Sequence, residues 1–139
     1  MLGPLVSLLV VLGPPPGAPV CLEGRLSVER EYHKSSGVFI GRVIAGRAVP
    51  ESKDYLEGTV YSVRIEEVLR GDVPDTLEVF SENTSGRFPM DVGTQYLLFI
   101  YTNPGRTMVD NCGNSGPLSA AADVLKTVRR LRWESGRHG

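Results

Sequence analysis

Two cysteines, two histidines, an adjacent pair of glutamates, a Gly-Asn-Ser-Gly-Pro stretch and an Asn-Thr-Ser triplet are the places in this sequence where chemistry could reside. Cys21 and Cys112 are the only thiols and His33 and His138 the only imidazoles. These four residues do not fall into the closely spaced pairs that build a zinc site. Glu66 and Glu67 are neighbours, so on a strand they point to opposite faces and cannot work together as general acid and base. No Gly-rich phosphate cradle is present. The reading is therefore of a chain with no catalytic residue, no metal ligand and no cofactor.

Gly113-Asn114-Ser115-Gly116-Pro117 follows Cys112 and resembles the nucleophile loop of trypsin-like serine proteases. Such chemistry needs Ser115 beside a histidine that a carboxylate orients. His138 sits at the far terminus, His33 lacks the matching surroundings, and the chain is too short for a two-barrel protease. A turn built from Gly, Asn, Ser and Pro explains the same letters. Asn83-Thr84-Ser85 is an acceptor triplet for glycosylation at Asn83. Arg70-Gly71-Asp72 spells an integrin-type tripeptide inside a strand-to-strand turn, and is read as coincidence.

Charge and length narrow the class. Fifteen basic and sixteen acidic residues leave a formal charge of −1, unlike the basic excess of a nucleic-acid binder. The late cluster Lys126, Arg129, Arg130 and Arg132 reads as the solvated end of a helix, where cations suit the macrodipole, ahead of a nucleic-acid or membrane patch. Residues 1–20 carry no charged side chain. The apolar run from Leu5 to Leu12 would span about 12 Å as a helix, well short of a bilayer core. With the Pro/Gly/Ala stretch behind it, this segment reads as a secretory signal cleaved near Ala18. The competing readings are an internal start codon and a disordered apolar leader. Lipidation of Cys21 would need a small residue before it, where Val20 stands.

Export bears on the cysteines. An isolated pair in an oxidising compartment is bonded, whereas in a reducing one it would remain as two buried thiols. A Cys21–Cys112 bridge would close a loop of about 90 residues and contribute on the order of 4 kcal/mol.

The elements that must position these residues follow from periodicity. Ser27 caps a short helical turn through Tyr32. Val38–Gly46 is a β-branched first strand with a bend or bulge at Gly41. Arg47–Gly58 reads as a polar loop. Thr59–Glu66 alternates strictly, with Tyr61, Val63 and Ile65 on one face, and Glu67-Val68-Leu69 shifts the phase as a bulge does. Thr76–Ser81 is a third strand, and the unbroken apolar run Gln95–Tyr101 is a fourth and central one. Arg106–Val109 is a fifth. A final helix capped by Ser119 carries an apolar stripe of Ala121, Val124, Leu125, Val128 and Leu131. Five bent strands flanked by a helix at each end suggest a small closed or partly closed barrel, because closure removes the exposed edges.

Several ordered stretches resemble the tissue inhibitors of metalloproteinases and their bacterial relatives. They are Ser36–Val43, the segment from Tyr61 through Glu66-Glu67-Val68-Leu69-Arg70-Gly71-Asp72, Val92–Phe99, and Cys112-Gly113 followed by Pro117-Leu118-Ser119-Ala120-Ala121 and a helix. Together they cover residues 21–131. The resemblance implies a five-stranded OB-fold barrel of the netrin-like type. It also implies a role for Cys21, because in the animal inhibitors the amine and carbonyl of the first cysteine chelate the protease zinc. This chain departs from that Cys-x-Cys opening: Cys21-Leu22-Glu23 lacks the second cysteine.

The sequence thus reads as a signal peptide over 1–20, one mainly β domain over 21–133 and a disordered tail over 134–139. The expected function is that of a secreted or periplasmic binding module whose partner is an extracellular protein, a metalloprotease by the resemblance, met through Cys21 and Leu22. No nucleic-acid partner and no membrane span are expected. The alternative is a secreted structural or envelope-anchored protein without inhibitory activity.

Overall fold

A computed structural model describes residue 3 and residues 21–137 apart from residue 23. The expected signal segment and its cleavage point lie outside the described residues, as does His138. Helix α1 spans Val28–Lys34, and Ser27 caps it by accepting from the Arg30 N–H at 3.2 Å. The strands are β1 (Gly37–Pro50), β2 (Leu56–Arg70), β3 (Thr76–Glu82), β4 (Gln95–Asn103), β5 (Arg106–Val109) and the two-residue β6 (Gly116–Pro117). A 3₁₀ turn over Leu118–Ala120 leads into α2, Ala122–Arg137.

The strands form one antiparallel sheet in the order β3-β2-β1-β4-β5, with β6 added beside β4. Two of the four register shifts between β1 and β2 fall where the sequence predicts them. Ile40 pairs with Glu67 and Gly41 with Ile65, which skips Glu66, and a second shift skips Leu69. A Cβ on Gly41 would stand 2.5 Å from a Val63 methyl, so the tight curl at this point requires glycine.

Five expectations are corrected. The sheet is open, not a closed barrel: β3 and β5 run near each other, yet no ladder joins them. The segment read as a loop over residues 47–58 is mostly strand: the exposed residues at the end of β1 mimic loop composition, and only residues 51–55 connect β1 to β2. Ser119 lies inside the 3₁₀ turn and α2 begins after it. That helix also continues through Arg137, so Glu134–Arg137 is not a disordered tail and Lys126 stands in the second turn, too early for the macrodipole to explain.

The sheet buries both faces over part of its area. Phe39, Val43, Tyr61, Val63, Val79, Tyr96, Leu98 and Ile100 pack on one face. Val38, Ile40, Leu97 and Phe99 pack on the other, against Tyr32 of α1 and Ala121, Val128 and Leu131 of α2. The continuous apolar run of β4 serves both faces in alternation, as expected of a strand lying between β1 and β5. Among the described residues no helix is long and apolar enough to cross a membrane.

Candidate functional site

The N-terminal segment of the domain is covalently pinned. Cys21 and Cys112 form a disulfide with their Cα atoms 5.7 Å apart. Beside it Leu22 is 93% exposed, and the Gly24 N–H donates back to the Cys21 carbonyl at 3.1 Å. A groove of about 620 Å³ lies between this segment and α1, its wall including Cys21, Leu22, Arg25, Arg30, Lys34 and Cys112. Disulfide, exposed leucine and cationic groove lie side by side and form a ridge.

The ridge rests on a buried carboxylate. Glu31 is fully buried, although it belongs to a seven-residue helix. Its Oε1 accepts from the Asn114 backbone N–H at 2.5 Å and from Asn114 Nδ2 at 3.0 Å, and its Oε2 accepts from the Tyr101 hydroxyl at 2.8 Å. Asn114 Nδ2 also donates to the Leu26 carbonyl at 3.0 Å, tying the segment that follows Cys21 to the same loop. A Cβ on Gly113 would stand 2.3 Å from Glu31 Oε2, so only glycine lets the loop close over the carboxylate. A buried ionised group needs this many donors to offset its lost hydration. Burial, then the hydrogen bond to Glu31 and its charge, push the Tyr101 phenol well above its usual range. The phenol therefore stays a donor throughout the ordinary pH range.

Sequence reading missed Glu31, although a signal was present. Val28, Glu31 and Tyr32 share one helix face by their spacing of three and four, and a carboxylate on an apolar face asks for a partner.

The other sequence candidates sit apart from the ridge or are occupied. Ser115 Oγ accepts from the Phe99 N–H at 2.8 Å, continuing the β4–β6 ladder with a side chain. Among the described residues no histidine bonds it. Asn83 lies just past β3, half-buried, and its Nδ2 donates to the Leu56 carbonyl at 3.0 Å. Glu66 accepts from Gln95 Nε2 at 3.0 Å, whereas Glu67 takes a two-pronged contact from Arg129 of α2 at 2.5 and 3.1 Å. They engage different elements, as adjacent strand residues must. The Arg129 guanidinium, partly opposed by burial, holds Glu67 below the usual carboxylate range. Arg70 turns inward to the Ser35 and His33 carbonyls and lies 5.7 Å from the Tyr32 ring centre, so the Arg-Gly-Asp letters do not present an arginine.

No protein-family model matches this chain, and no curated protein matches it either.

Proposed function

We propose that this chain is an exported binding module that engages a partner protein through the ridge carrying Cys21 and Leu22. The observation that carries the reading is Leu22: a large apolar side chain almost wholly in water, next to a cysteine that a disulfide ties to the domain. Pre-ordering of this kind lowers the entropy cost of binding, and an exposed apolar anchor beside a cationic groove is what a docking protein would bury. The strand order supports an OB-type arrangement, since it places β3 and β5 as the two edges that a five-stranded barrel would bring together. The likeness to metalloproteinase inhibitors narrows the partner to a zinc protease, with the Cys21 amine and carbonyl directed at the metal.

The test is the intact mass of the exported protein together with inhibition of a panel of zinc endopeptidases. The reading expects a chain beginning at Cys21, inhibition that depends on the free amine, and a loss of at least tenfold in Leu22→Glu with an unchanged melting temperature. A chain that retains residues 1–20 and leaves every protease untouched would remove the inhibitor reading. A lipid on Cys21 would turn the function toward envelope anchoring.

A further inference from the structure

Five of the chain's fifteen Lys and Arg residues fall within α2, against two of its sixteen acids. The helix is thus +3 on a chain whose formal charge is −1. At 100° per residue the buried side of α2 is fixed by Ala121, Val128 and Leu131. The opposite side carries Lys126, Arg130, Trp133 and Arg137, spaced i, i+4, i+7 and i+11, with Arg129 on its flank, and all of them are exposed. This stripe runs about 16 Å along the helix. Trp133 is the only tryptophan in the sequence and is 63% exposed, with the Arg137 guanidinium 4.5 Å from its ring centre.

Local pairing accounts for only part of this charge. Arg129 binds Glu67, while Arg130 reaches Glu29 and, at 4.0 Å, Glu134. Lys126 and Arg132 make no ion pair among the described residues, and packing does not explain a tryptophan on the side away from the core. An indole among cations on a convex surface matches the chemistry of an anionic lipid interface, where the ring settles at headgroup level and the cations meet phosphates. A nucleic-acid strand fits less well, because stacking needs successive aromatics along a channel and here one ring stands alone on a helix face.

We propose that the outer face of α2 is a peripheral membrane-docking surface that holds the domain against anionic phospholipid through Lys126, Trp133 and Arg137. The proposal does not depend on the ridge at Cys21. Trp133 is its own probe: the full chain is mixed with vesicles of phosphatidylcholine, or of phosphatidylcholine and phosphatidylglycerol in equal parts, and tryptophan emission, acrylamide quenching and co-sedimentation are read. The expected result is a blue shift and shielding from acrylamide on the anionic vesicles only, reversed by high salt. Lys126→Glu with Arg137→Glu should lower the vesicle partition constant by roughly fivefold or more per cation removed, with the circular dichroism unchanged. Trp133→Ala should weaken sedimentation and keep the salt dependence. Arg129 and Arg130 are left intact because they hold the helix to Glu67 and Glu29.

Emission that anionic vesicles leave unmoved would overturn the proposal, as would an equal shift on neutral vesicles. So would a charge-reversed double variant that sediments as well as the native chain, since another segment would then be the anchor. A response to a single-stranded oligonucleotide without any to vesicles would replace the lipid with a nucleic acid.

Discussion

Two of the places where segments distant in sequence meet are held by different physics. At the ridge, residues 21–31 meet the 110–114 loop through a disulfide and a fully buried carboxylate with three donors. At the seam, β3 meets β5 without a ladder. There the Arg106 guanidinium lies 4.1 Å from the Phe80 ring centre and pairs with Glu57, with both charged side chains partly in water. The first junction is specific and costly to disturb, because a buried charge tolerates few geometries. The second resembles surface electrostatics, modest in strength and screened by salt. The comparison teaches that the exposed ridge is backed by the more rigidly specified junction.

The largest expected effect tests that contrast directly. Cys112→Ser, or reduction, frees a 91-residue separation and should cost up to about 4–5 kcal/mol by the chain-entropy estimate, read by urea unfolding with and without reductant. Next comes Gly113→Ala, which forces a methyl into Glu31 and should cost about 2–3 kcal/mol as the carboxylate loses its donors. A variant that melts like the native protein would show that the loop is looser than its hydrogen bonds suggest.

Arg106→Ala at the seam should cost about 1 kcal/mol, with a difference that shrinks as salt rises. A cost equal to that of Gly113→Ala would erase the distinction between the junctions. The smallest effect is expected from Glu67→Gln, under about 1 kcal/mol because the Arg129 pair is partly solvated. Since Arg129 lowers the folded-state pKa of Glu67, this contribution is present above the ordinary carboxylate range and lost as pH falls through the depressed value. Native and Glu67→Gln melting curves should therefore converge in acid.

Short-range periodicity made the strands legible. Alternation in Tyr61–Ile65 marked a half-buried strand, the phase slip at Glu67–Leu69 marked a bulge, and the apolar run of β4 marked a central strand. The end of β1 past Gly46 has loop-like composition, because exposed strand residues carry no burial pattern to detect. The ridge was half legible: Cys21 and Cys112 had only each other to pair with, whereas the bond between Glu31 and Asn114 crosses 83 positions with no local signature.

Local sequence determined where the chain extends, where it bulges and which helix faces are apolar, since these depend on neighbours within a turn or two. Long-range packing alone decided that Glu31 is buried, that the sheet edges meet without joining, and that Trp133 and its cations are left on the outside of α2. Each depends on which surfaces come together after the local elements exist. A residue's environment is a property of that assembly, and no stretch of the chain encodes it alone.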